Sequence, residues 1–322
     1  MRPPNKSIPA TNSRVNFDPV SLPAPASLNR QGQYSLPLVC SQSPATRKFN
    51  MPDETISILI EPKALHPRLS DPDLRIVELC ESNDFQDQRI PGSMHVDYSE
   101  IVDGTKPVTG QVPSNERLQR LASRLGLRDE LHIVVYDDEG GGRASRLVWT
   151  LYLLGHRCAS VLNGGIHAWL HEGRPITRTG TAATTTEQAH FAVDDRVLAT
   201  RDYILSRLGA PNLALLDART REEYQGSRVL AQRGGHIPGT VHLNWLDTID
   251  GARQLRLKPD HELIAMLSQR SIVPDREIVV YCQTHHRSAH SWMMLRHLGY
   301  SQVRGYAGSW SEWGNDARTP IE

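Results

Sequence analysis

Five short stretches of this chain occur twice, in the same order. Ile76–Phe85 reads IVELCESNDF and Leu213–Tyr224 reads LALLDARTREEY, each an apolar strand followed by a polar turn. RIPGSMHV (Arg89–Val96) is matched by HIPGTVHL (His236–Leu243), and HIVVYD (His132–Asp137) by EIVVYC (Glu277–Cys282). LYLLGH (Leu151–His156) is matched by LRHLGY (Leu295–Tyr300), and NGGIHAW (Asn163–Trp169) by AGSWSEW (Ala307–Trp313). The second copies follow the first by 137 residues for the first pair and 144–147 for the other four, so whatever fold one half adopts the other adopts too.

The units alternate short strands with helices. IVVY-type runs carry no polar alternation, the mark of strands covered on both faces. Helices are expected at Glu116–Leu125 and Asp260–Arg270; Leu263 and Leu267 set an i, i+4 apolar stripe in the second. Alternating β and α units predict an α/β class, with each copy a mainly parallel sheet flanked by helices. The expected domains are 55–178 and 199–322, joined by a Thr- and Ala-rich linker at 179–198. Residues 1–54 carry nine prolines up to Pro52 and read as a disordered Pro/Ser-rich lead. An alternative is that translation starts at Met51. The basic bias of the lead allows a mitochondrial reading, but its prolines oppose the amphipathic helix of a transit peptide.

Lys plus Arg and Asp plus Glu both number 36, so no overall basic field points to nucleic acid. No apolar run approaches the ~20 residues of a membrane span. Cys40, Cys80, Cys158 and Cys282 show neither metal-ligand spacing nor a disulfide framework, so a reducing, cytoplasmic setting is expected. No metal site is expected; Asp137–Glu139 is a thin candidate at best.

Cys282 ends the strand Ile278–Tyr281, at the edge where open α/β sheets bind ligands. Gln283, Thr284, His285, His286 and Arg287 make a short loop, and Ser288 is positioned to cap the helix that carries Trp292, Met293, Leu295 and Leu298 inward. Loop amides and a helix N-terminus converging on one point form an anion site and lower a thiol's pKa. A buried structural cysteine would not need the polar HHR run beside it. His285, His286 and Arg287 are candidate cations for an anionic ligand, though Arg287 is expected more as a brace on loop carbonyls. The first copy places Asp137 where the second has Cys282, and a carboxylate lacks the thiol's nucleophilic sulfur and would repel an anion. The first copy is therefore expected to be inactive and to wall the cleft.

The loop CQTHHRS, the paired IPG-x-x-H units and YAGSWSEW resemble a tandem-domain rhodanese, a thiosulfate sulfurtransferase, over roughly residues 55–322. The resemblance implies two tandem rhodanese-like domains with catalysis confined to the second. It implies that Cys282 attacks the outer sulfur of thiosulfate, becomes a persulfide and passes the sulfur to cyanide, a thiol, thioredoxin or a sulfur-carrier protein. It also implies that Arg219 binds the anion and that Trp245 lies near the site, with Asp217 orienting its neighbours. No cofactor is implied. Trp310 and Trp313 are expected in the core, and His236 and His242 in structural hydrogen bonds.

The alternative within the same architecture is a 3-mercaptopyruvate sulfurtransferase. That group has a smaller neutral loop and a second arginine where Glu223 stands, and Glu223 would disfavour a carboxylate substrate. A cysteine phosphatase needs C-x5-R, whereas Cys282 to Arg287 is C-x4-R. A non-catalytic binding module would typically lack the cysteine.

Overall fold

The computed structural model describes residues 56–81, 87–181 and 191–322. The lead at 1–54 and residues 182–190 of the expected linker lie outside them.

The first copy contains β1 (Leu59–Ile60), β2 (Leu74–Glu78), β3 (Ser93–His95), a β4–β5 hairpin (Asp103–Thr105, Val108–Gln111), β6 (His132–Tyr136) and β7 (Ala159–Leu162). Its helices are α1 (Pro62–Leu65), α2 (Asn115–Leu125), α3 (Gly142–Leu153) and α4 (Gly165–His171). The second copy repeats the plan. Its strands are β8 (Leu198–Ala199), β9 (Leu213–Asp217), β10 (Val241–His242), a β11–β12 pair (Ile249–Asp250, Arg256–Leu257), β13 (Glu277–Tyr281) and β14 (Val303–Tyr306). Its helices are α5 (Arg201–Arg207), α6 (Arg221–Tyr224), α7 (Asp260–Ser268), α8 (Arg287–His297) and α9 (Ser309–Trp313).

The two five-stranded sheets run β1-β7-β6-β2-β3 and β10-β9-β13-β14-β8. Every pairing within them is parallel; the two hairpins and an isolated Arg89–Thr177 bridge are antiparallel. Cys282 leaves the central strand of its sheet, and Asp137 leaves the matching strand of the other.

Strand alternation sorts the apolar residues into two layers. Val134 and Tyr136 of β6 pack outward with Leu65, Ile166 and Trp169 of α1 and α4. Val279 and Tyr281 of β13 do the same with Ile204, Trp310 and Trp313 of α5 and α9. The opposite faces, Ile133 and Val135, Ile278 and Val280, join one core that runs through both copies. Helices α3 and α8 meet inside it, with the rings of Tyr152 and Trp292 5.0 Å apart, edge to face. Leu263 and Leu267 of α7 are buried there as the stripe predicts. The first copy thus covers an apolar face of the second.

Candidate active site

The loop after β13 is built so that its carbonyls face away from Cys282. The Cys282 carbonyl accepts from the Trp310 amide at 2.9 Å, and the Gln283 carbonyl from the Ser311 amide at 2.9 Å, both at the start of α9. The carbonyls of Thr284 and His285 accept from Arg146 Nη1, each at 3.2 Å. Buried backbone groups require partners, and here each carbonyl finds one on the outer side of the turn. The peptide planes are then set with amides turned inward. The amides of Thr284 and Ser288 and the Ser288 hydroxyl all reach the Cys282 sulfur.

Arg146 belongs to α3 of the first copy. It has no solvent exposure, and Nη2 also holds the carbonyls of Gly110 (3.0 Å) and Gln111 (3.1 Å) on β5. Among the described residues it has no carboxylate partner, and its charge acts on Cys282 and Tyr98. Gly110 lies so close to Thr284 that a Cβ would sit 2.4 Å from the Thr284 carbonyl oxygen, and its φ is +81°. Only glycine meets both conditions there.

Cys282 is fully buried, capped by Trp245, Ile249 and partly buried Leu255, with Ala218 in the same cluster. Reaching its sulfur requires part of that apolar cover to move. Burial acts to raise the thiol's pKa. The Arg287 charge, the Ser288 hydroxyl and the two amides outweigh it and leave the pKa below the usual thiol value. The sulfur therefore lies in a polar cradle beneath an apolar cap.

His285 takes a left-handed conformation at φ +53°. Its amide is spent on Ser309 Oγ at 3.1 Å, so it is not aimed at the sulfur. Its Nδ1 lies 2.7 Å from Ser288 Oγ, and its ring meets Trp149 at 4.4 Å. Ser288 donates to the sulfur only if it accepts from His285, which assigns the proton to Nδ1. Burial, then Arg146 and His286, hold the His285 pKa well below its ordinary range.

His285 is consequently a neutral orienting group rather than a cation. His286, the residue before α8, pairs with Glu139 from the first copy's loop. Gly142 allows that contact, since a Cβ there would come within 2.6 Å of both partners.

Three further expectations change. Arg287 does not brace loop carbonyls; it forks onto Glu223 at 2.6 and 2.8 Å, so the brace is Arg146. Glu223 is buried and spends its charge on Arg287, which holds its carboxyl down to about 2 against the pull of burial. Ser288 is not the helix cap; it sits inside the first turn of α8 because its hydroxyl is engaged by His285 and the sulfur.

Arg219, expected to bind the anion, is committed to partners within the fold. It is buried, bonded to both Asp217 oxygens (2.6–3.0 Å) and to the Gly235 carbonyl at 2.8 Å, with its guanidinium 4.4 Å from the Trp310 ring centre. Asp217 orients it. Trp245 stands beside Cys282, its ring 5.8 Å from His286 and 5.4 Å from His290. Gln283 turns outward to the Leu230 carbonyl at 3.1 Å. Trp310 and Trp313 are core, and His236 and His242 bond the carbonyls of Tyr224 and Arg219.

Sequence reasoning missed Arg146, Glu139 and Ser309. Only Ser309 stood in a repeated motif; its hydroxyl accepts the amides of both Cys282 (3.3 Å) and His285.

The first copy forms the same cradle around a different atom. Asp137 is buried, and its carboxylate accepts the amides of Glu139 (3.2 Å), Gly141 (2.8 Å) and Ala144 (3.0 Å). Burial and the Glu139 charge raise its pKa against those bonds. Its oxygens already take the loop amides that an incoming anion would need. Among the described residues no cluster of three or more His, Cys, Asp or Glu is placed to hold a metal ion.

The rhodanese-like domain profile matches residues 61–172 and again 200–316. The chain is 44% identical over 268 residues to the thiosulfate sulfurtransferase of Azotobacter vinelandii, covering 83% of this chain and 98% of that protein. It is 33% identical to the sulfur carrier protein TtuD of Thermus thermophilus, covering 82% and 96%. The wild-type structure of EanB superposes with a TM-score of 0.73 at 19% identity, over 84% of this chain and 71% of that one, a likeness of fold.

Proposed function

The chain belongs to the rhodanese-like family, and from that premise we propose that it is a thiosulfate sulfurtransferase with Cys282 as its nucleophile. The thiolate attacks the outer sulfur of thiosulfate. The sulfur–sulfur bond of the donor breaks, its electron pair leaves on sulfite, and a new bond joins Cys282 to the transferred sulfur. Cyanide or a thiol then attacks the terminal sulfur of the persulfide and restores the thiolate. Only thiol chemistry is exchanged, so no redox cofactor takes part.

One observation carries this assignment: a fully buried cysteine whose sulfur takes two amides and a hydroxyl, with a pKa lowered in spite of burial. Amide donors stabilise an anionic sulfur without competing to react with it. The Arg146 charge, with no carboxylate partner among the described residues, adds a fixed positive field. Thr284 and Ser288 thus hold the sulfur, while Arg146 and Arg287 act through their fields, the latter tied to Glu223.

Incubation with thiosulfate is expected to raise the intact mass by one sulfur atom, and cyanide to remove it. Cys282→Ser should gain nothing; an equal gain there would refute the assignment. Rates with thiosulfate and with 3-mercaptopyruvate, using cyanide as acceptor, decide the donor. The acceptor in this reading is a thiol, thioredoxin or a sulfur-carrier protein, and a reducing compartment such as the cytoplasm would keep the Cys282 thiol available. Among the described residues no helix is long and apolar enough to cross a membrane.

A further inference from the structure

We propose that Tyr98, contributed by the first copy, donates a hydrogen bond to the sulfonate group of the sulfur donor bound at Cys282. This rests on the sulfurtransferase reading and extends it: the copy without a nucleophile supplies a group that touches substrate.

The position of Tyr98 is fixed by its backbone. It follows Asp97, whose carboxylate accepts the Ser99 amide at 2.8 Å while the Asp97 amide donates to Glu100 Oε1 at 2.9 Å. The ring stands edge-on to His286 with centroids 5.6 Å apart. Its hydroxyl is buried and has no hydrogen-bond partner among the described residues. Buried tyrosine hydroxyls ordinarily find one. That contact with His286 sets it against the cysteine loop, and Arg146, Cys282, Glu139 and Arg143 are the charged groups that act on it. Burial pushes its pKa up to about 12, so it keeps its proton and remains a donor through the working pH range.

The sulfonate is the acceptor because the sulfur is already served. Cys282 takes the Thr284 and Ser288 amides and the Ser288 hydroxyl. The sulfonate of thiosulfate brings three more oxygens, and the charged side chains nearest the loop are committed elsewhere. Arg287 is held by Glu223, His286 by Glu139, and the terminal nitrogens of Arg146 by four carbonyls. Among the described residues, the buried donors that no acceptor takes include the Tyr98 hydroxyl and Arg146 Nε. A donor already stripped of water, and unpaired in the free protein, gains its partner only when the anion arrives.

The test is Tyr98→Phe in the full chain, which keeps the ring and its contact with His286. Sulfite release on mixing with thiosulfate reads the loading step. Cyanide discharge of the purified persulfide reads the second step, in which no sulfonate is present. Loading at subsaturating thiosulfate is expected to slow about 10- to 100-fold through a raised KM, with discharge and thermal melting unchanged. Unchanged loading in the variant, while wild type loads normally, overturns the Tyr98 assignment and leaves the sulfurtransferase reading standing. Equal losses in both steps, or a loss confined to discharge, also overturn it. A wild type that takes up no sulfur overturns both.

Discussion

Arg146→Lys tests whether the first copy sets the reactivity of a cysteine in the second. The guanidinium spans four carbonyls at 3.0–3.2 Å from a fully buried position. A lysine keeps the charge but lacks the planar fork, and its ammonium serves about two of the four. Two buried carbonyls left without donors cost about 2–4 kcal/mol together, a fall in Tm of about 5–10 °C. A merely structural brace would show that loss and nothing more.

If the Thr284 and His285 carbonyls are what turn the loop amides inward, releasing them weakens at least one amide bond to the sulfur. A bond of about 1.5 kcal/mol to a charged group corresponds to about one pKa unit. The thiol's pKa therefore rises, less thiolate is present at acidic pH, and the loss disappears once pH exceeds the new value. The rate of Cys282 alkylation by iodoacetamide across pH 5–10 measures this directly. The variant should be about tenfold slower on the acidic limb and equal to wild type near pH 10. A lowered Tm with a superimposable pH profile would refute the claim that Arg146 orients the cradle.

Two further outcomes follow from the buried groups. His132 and His290 are held neutral by burial, each at about 4, far below the unfolded value near 6.5. The unfolded chain binds protons there that the fold refuses, so stability is full above that unfolded value and is lost as pH falls toward 4. At pH 5 the loss is about 2 kcal/mol for each, and urea unfolding at pH 7.5 and 5.0 should show a gap that shrinks by about 4 kcal/mol in the His132→Gln, His290→Gln double variant. Asp137→Asn preserves an acceptor for the first copy's loop amides, so it should cost at most about 2 kcal/mol and leave uptake at one sulfur per chain by intact mass. Loss of uptake with unchanged melting would show that the first copy takes part in the sulfur chemistry itself.

The repeated stretches alone specify two parallel sheets with covered faces, because the IVVY runs and their spacing are local properties of the chain. They also put Cys282 at the mouth of a central strand and fix a loop of four residues before Arg287. The charge state of that loop was not legible. His285 and His286 read as two equivalent cations, yet one ring is sealed against Trp149 and neutral while the other faces Glu139. Arg287 read first as a brace on loop carbonyls and otherwise as a free cation, yet it is matched by the buried carboxylate of Glu223.

The partners responsible, Glu139, Arg146 and Glu223, stand far from the loop in sequence, and two of them are in the other copy. Desolvation and ion pairing depend on distances that only the packed fold brings into being. The residue types present at the site were therefore set by the chain's order, and their protonation and direction by what the tertiary structure placed against them.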